Sequence, residues 1–294
     1  GGRGGRLAVR GARSSGVAAG TARRQTLPAY RHAPRGRALS VVVSGRGHPR
    51  GSAQETARVP WQDGSVKLFL VRHGRTIANI MGALDTAFPG NSLDATGLTQ
   101  AASLPNRFDA DQLAEISSLW TSPIARARQT IAPLEGATGL TASIASGLRE
   151  VLAGDLEMST DARSVACYQD TTRAWMIGRT AARLPGSPED GADTFARFDA
   201  AVARIARATA ESAGARGTAL LVAHGTVLRL WTALAAAPGG GADPAWIADH
   251  PMRNTGISIV EGDPQCGWSL VDWNEGEWSA PTAPSTPDRA DVAA

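Results

Sequence analysis

The chain has 294 residues, 43% of them apolar, with 30 basic and 27 acidic side chains and a formal net charge of +3. That is enough apolar content to build one large domain or two small ones, and no run approaches the roughly 18 apolar residues that a membrane helix requires. Cys167 and Cys266 are too few and too far apart for a disulfide framework or a zinc knuckle, which points to a reducing, cytoplasmic setting.

The net charge conceals two unlike parts. Residues 1–54 hold 11 of the 30 basic residues and no acid, so 19 basic and all 27 acidic residues fall in 55–294, which carries −8. A part so acidic is not built to attract polyanions, so nucleic acid is expected as a partner only through the basic start. Residues 1–64, opening GGRGGRLAVRGARSS, have few large apolar residues and no helical or strand period. They predict a disordered Arg/Gly/Ala-rich leader. Sharper readings of it are an organelle transit segment, a weak signal core at ALSVVVSG, or an arginine-glycine arm for RNA.

From Lys67 the pattern becomes regular. Strands are predicted at 67–72, 116–121, 141–144, 218–223, 256–260 and 268–273, separated by helical patterns. One helix opens near Thr96. Another is predicted from TSPIARARQTI, with Ser122 as its N-cap and Pro123 as its first residue. In FARFDAAVARIARATA the apolar Phe195, Phe198, Val202 and Ile205 recur at helical spacing, with Arg197, Arg204 and Arg207 largely outside that stripe. Strands alternating with helices imply an α/β fold, a three-layer α/β/α sandwich with a mainly parallel central sheet. A single domain over 65–278 is expected, followed by a flexible tail over 279–294.

Two His-Gly dipeptides stand out. KLFLVRHGRT ends a buried strand at His73, and ALLVAHGTV ends another at His224. Ligands of open α/β sheets bind beyond the carboxyl ends of their strands, so both imidazoles are candidates for one pocket. A phosphoryl-transfer site needs a nucleophile, cationic donors for the equatorial oxygens and a proton donor for the leaving group. His73 suits the first role, and Arg72 beside it offers a planar donor fork. Arg126 falls in a first helical turn, where its charge opposes the dipole unless an anion compensates. Glu150, Asp155 and Glu157 in LREVLAGDLEM are candidate acids, with a plain charged loop as the alternative. The remaining histidines, His32, His48 and His250, are poorer candidates. There is no HExxH, paired CxxC, Asp-rich metal motif or GxxxxGK[ST], so no metal site or P-loop is expected.

Taken together, LVRHGRT with Asn79, LDATGLTQA, SPIARARQT, LREVLAGDLE and VAHGTVLR resemble, in order, the signature blocks of the histidine phosphatase superfamily, in its phosphoglycerate mutase-like branch. The resemblance covers roughly 66–275. It implies that His73 attacks phosphorus and becomes a phosphohistidine. It implies that Arg72, Asn79, Arg126 and His224 bind the phosphoryl oxygens, and that Glu150 is the proton donor. The implied activity is metal-independent hydrolysis of a small phosphorylated substrate, with no cofactor. The mutases of the family follow the acid with an R-H-Y-G-x-L stretch, whereas Val151, Leu152, Ala153 and Gly154 follow Glu150 here. That favours hydrolysis. A phosphoglycerate-type mutase and a phosphate-binding regulatory pseudoenzyme stay open as alternatives, and residues 81–95 are expected to rim the substrate.

Overall fold

Two runs of consecutive apolar residues lie side by side at the centre of the structure, a computed structural model that describes residues 65–213 and 217–281 besides Gly1. They are β1 (Val66–Arg72) and β4 (Thr218–Ala223), paired in parallel from Lys67↔Thr218 to Arg72↔Ala223. Neither alternates apolar with polar, because both faces of each strand are covered. Leu68, Leu70, Ala219 and Leu221 enter one core with Trp175, Phe198, Val202 and Trp231. Phe69, Val71, Leu220 and Val222 enter another with Leu119, Ala127, Ile131 and Leu134. Successive side chains of one strand thus serve opposite layers.

The remaining strands are β2 (Ile116–Thr121), β3 (Ser143–Ile144), β5 (Ile257–Asp263), β6 (Gly267–Trp273) and β7 (Trp278–Ser279). Their order is β3-β2-β4-β1-β5-β6-β7. The first four are mutually parallel; β5 to β7 continue as antiparallel neighbours, so β6 again runs with β1. Helices α1 (Ile77–Met81), α2 (Ala95–Ser103), α3 (Ala110–Glu115) and α4 (Ala125–Thr138) lie between β1 and β3 in the chain. Between β3 and β5 come α5 (Ala162–Met176), α6 (Gly191–Ala213), α7 (Gly225–Trp231), α8 (Ala237–Gly240) and α9 (Pro244–Asp249). The described residues form a single α/β domain with a mostly parallel central sheet, as expected.

Several boundaries differ from the sequence reading. The third strand is only Ser143–Ile144, and the fifth runs on to Asp263. Helix α2 starts at Ala95, with Asp94 capping it by accepting from Gly97 N at 2.7 Å. Helix α4 starts at Ala125 with Ile124 at the cap position, so Ser122 and Pro123 lie outside it. The Ser122 hydroxyl accepts from Ile124 N at 3.3 Å and also lies 2.7 Å from His224 Nε2. Ser279, placed in the expected tail, pairs with Asp272 in β7. The leader beyond Gly1 and residues 282–294 lie outside the described residues.

Candidate active site

Because β1 and β4 are neighbours, their carboxyl ends set His73 and His224 side by side, ring centroids 5.2 Å apart. His73 is buried, and its Nδ1 lies 2.7 Å from the Gly74 carbonyl oxygen. A carbonyl only accepts, so the proton sits on Nδ1 and the lone pair on Nε2. Arg126 Nε donates to that Nε2 at 3.1 Å. Burial, then the charges of Arg126 and Arg72, hold the His73 pKa well below its ordinary value. The imidazole is therefore neutral at neutral pH.

The turn after His73 is held by residues of the other sequence blocks. Gly74 N donates to Thr130 Oγ1 at 2.9 Å, and that hydroxyl donates to Arg126 O at 2.7 Å. Arg75 N donates to Gln100 Oε1 at 2.8 Å. A methyl group on Gly97 would stand 2.0 Å from Arg75 O, so only glycine permits this approach. Arg75 Nε also pairs with Asp94 at 2.8 Å.

His224 is fully buried at the N-cap of α7. Its Nε2 lies 2.7 Å from Ser122 Oγ, while its Nδ1 is buried with no hydrogen-bond partner among the described residues. Its pKa too lies well below the ordinary value, first from burial, then from Arg126 and His73. A Ser122 hydroxyl that donates to Nε2 puts the imidazole proton on Nδ1 as an unpaired buried donor, and one that accepts from Nε2 leaves a lone pair there.

Arg72 Nη1 donates to Met252 O at 2.6 Å, and its buried Nε has no partner among the described residues. Arg126 is almost wholly buried and forms an ion pair with Asp85, Nη1 to Oδ2 at 3.2 Å, while Nη2 donates to Asp85 O at 2.9 Å. Burial lowers the pKa of both guanidiniums, and carboxylates oppose that pull, Asp85 foremost for Arg126 and Glu150 for Arg72. Arginine remains charged through such shifts. Asn79 caps α1 in a reciprocal box with Thr76, and its Oδ1 also accepts from Asn254 Nδ2 at 3.2 Å.

Glu150 is buried against the start of α7. Its Oε1 accepts from Val151 N at 2.9 Å and Val227 N at 2.8 Å, and Oε2 accepts from Thr226 N at 3.1 Å. Arg197 fixes the Glu150 loop, donating to the carbonyls of Gly147, Arg149 and Glu150 at 2.7, 2.9 and 3.2 Å. Of the other two candidate acids, Asp155 is exposed. Glu157 accepts from Thr86 N and Ala87 N at 2.8 and 3.0 Å, bracing the loop after α1.

Arg72, His73, Asn79, Arg126 and Glu150 line one open pocket of about 170 Å3. His224 stands behind it, against the His73 ring. The pocket also holds residues that sequence reasoning passed over: Asp85, Tyr168 and Arg229. Asp85 fell within the expected substrate rim and Arg229 within the VAHGTVLR block, but nothing marked Tyr168. Burial, then Glu150, raises the Tyr168 pKa well above its ordinary value, so it stays a phenol. His250 stacks on Trp246 at the end of α9 and is not among the residues that line this pocket.

Fold and site together define an α/β protein whose pocket, at the carboxyl ends of parallel strands, gathers arginines around a buried imidazole. Residues 68–276 match the model of the histidine phosphatase superfamily, branch 1. The chain belongs to that superfamily. It is 31% identical over 236 residues to the PE-PGRS family protein PE_PGRS11 of Mycobacterium tuberculosis, a match covering 74% of this chain and only 38% of that protein. It is 30% identical over 224 residues to glucosyl-3-phosphoglycerate phosphatase of Mycobacterium tuberculosis, covering 73% of this chain and 94% of that one. The solved structure of a mycobacterial glucosyl-3-phosphoglycerate phosphatase superposes with a TM-score of 0.58 at 26% identity, covering 72% of this chain and 99% of that one.

Proposed function

We propose that this chain hydrolyses small phosphomonoesters through a phosphohistidine on His73, without a metal. The observation that carries the reading is the His73 ring: Nδ1–H is held by Gly74 O, so the Nε2 lone pair faces Arg126 and the pocket. Nε2 attacks phosphorus, an N–P bond forms and the ester P–O bond breaks. Arg72, Arg126, Asn79 and the His224 Nδ1–H receive the phosphoryl oxygens. Pre-placed donors of this kind meet the charge that develops in transfer. Glu150 gives its proton to the departing alcohol oxygen and then takes one from the attacking water, releasing phosphate and restoring the imidazole.

The relatives named as phosphatases support hydrolysis of a small phosphorylated molecule. The absence of Arg and Tyr after Glu150 favours hydrolysis over phosphoryl shuttling. Among the described residues no helix is long and apolar enough to cross a membrane. Two cysteines, far apart in the sequence, fit a cytoplasmic site of action.

The test is to quench turnover of a radiolabelled phosphate ester in alkali and map the label. Base-stable, acid-labile label on His73 is expected. Turnover that leaves label on another residue, or on none under rapid quench, overturns the phosphohistidine route.

A further inference from the structure

A carboxylate in a phosphate pocket needs an explanation, because it repels the group the pocket receives. Asp85 is such a residue, its side chain only 5% exposed. One of its oxygens, Oδ2, is saturated. It takes Arg126 Nη1 at 3.2 Å, Asn91 N at 2.9 Å and Asn91 Nδ2 at 3.0 Å. The same loop closes over the guanidinium at Gly90, where a methyl group would stand 2.4 Å from Arg126 Nη1. The other oxygen, Oδ1, has no partner among the described residues.

The charges of the pocket fit one dianion. Three arginines line it, Arg72, Arg126 and Arg229, and Arg126 is already paired with Asp85. Arg72 and Arg229 donate to backbone carbonyls and form no ion pair among the described residues. With Glu150 carrying the proton it is proposed to donate, these two unpaired cations match the charge of about −1.5 to −2 on a phosphomonoester. A second anionic group on the same molecule would meet no unpaired arginine and would face Asp85. A hydroxyl or ammonium group would meet an acceptor lacking a donor.

Resting on the phosphatase reading above, we propose that Asp85 determines specificity. Its Oδ2 anchors Arg126 and its Oδ1 accepts from a hydroxyl or ammonium donor of the substrate alcohol. The preferred substrates are phosphate esters of polyols, sugars or amino alcohols, and esters with a carboxylate or second phosphate beside the reacting group are disfavoured. In Asp85→Asn the amide oxygen can keep the three Oδ2 bonds, while the NH2 group replaces the free acceptor with a donor.

The experiment uses the full chain and a matched pair of esters, glycerol 3-phosphate and 3-phosphoglycerate, which differ by a CH2OH in place of a carboxylate. p-Nitrophenyl phosphate serves as the general phosphatase substrate. The expected result is kcat/KM at least about tenfold higher for the glycerol ester, with that preference reduced about tenfold in Asp85→Asn. Equal or better use of 3-phosphoglycerate by the unaltered protein overturns the inference, whatever the variant does. An unchanged preference in an Asp85→Asn protein that still hydrolyses p-nitrophenyl phosphate overturns it as well. Hydrolysis of p-nitrophenyl phosphate with the wrong ester preference leaves the phosphatase reading standing and removes only the specificity claim. Failure to hydrolyse any of the three esters overturns both.

Discussion

The ends of β1 and β4 carry the same dipeptide, His-Gly, on adjacent parallel strands, and both imidazoles are buried and neutral. Their second partners differ. His73 spends Nδ1–H on the carbonyl of its own neighbour, Gly74, and keeps a lone pair at Nε2. His224 has Nε2 beside a hydroxyl from the far side of its strand, Ser122, and leaves Nδ1 unmatched. In the mechanism proposed above, the first arrangement suits attack and the second suits donation. A side chain's chemistry is set by what holds its remote atom, here a single hydrogen bond at each strand end.

The comparison can be broken most severely at His73. His73→Ala should lower kcat by about 10^4-fold or more, since no other group supplies the nucleophile. His224→Ala should cost about 10^2–10^3-fold, the usual worth of one donor to a developing oxyanion, and should still accumulate label on His73. Equal losses in the two variants, measured as single-turnover rates, would erase the distinction between the rings. Glu150→Gln should cost about 10^2–10^4-fold with alkyl esters and far less with p-nitrophenyl phosphate, whose leaving group needs no proton. A loss independent of leaving group would remove the acid role. Ser122→Ala should cost only about tenfold in kcat/KM, because one hydrogen bond orienting His224 is removed.

The smallest effect concerns stability. Both imidazoles have folded-state pKa values below the unfolded value of about 6.5, so below that pH the unfolded chain binds protons that the folded one refuses. Stability is then fully present above about pH 6.5 and falls on acidification, by about 1.4 kcal/mol per pH unit for each imidazole. Chemical denaturation between pH 8 and pH 5 should show that slope. It should be halved in His73→Asn or His224→Asn, and an unchanged slope in both would show that other groups cause it.

The two central strands were legible because burial on both faces writes a continuous apolar run, which is why 67–72 falls within β1 and 218–223 coincides with β4. The strand β7 was missed because two residues, Trp278 and Ser279, carry no period. Ser122 was misread as a helix cap for a related reason. Ser-Pro before an apolar run looks the same whether its hydroxyl caps the helix or is claimed by a histidine 102 residues away. His73, Arg126, Glu150 and His224 were readable from their spaced motifs, yet the state of each ring was not, since it depends on neighbours chosen by folding. Asp85 became meaningful only when its loop returned to Arg126, 41 residues further on. Tyr168 reaches the pocket from α5, and nothing in the sequence of that helix distinguishes it from other buried positions.

The short passage from Arg75 to Thr76 is clasped to Leu93, Asp94 and Gln100 by a strand-like bridge, an ion pair and a side-chain hydrogen bond. The intervening residues therefore form an excursion with a stapled neck. Closure cost grows only slowly with length, about 0.6 kcal/mol for each doubling. Such a stretch can be lengthened, shortened or transplanted between scaffolds while the imidazole below it stays put. New ligand preferences can then evolve as exchangeable cassettes on an unaltered base, which the cassette meets at Arg126 through Asp85 and at Asn254 through Asn79.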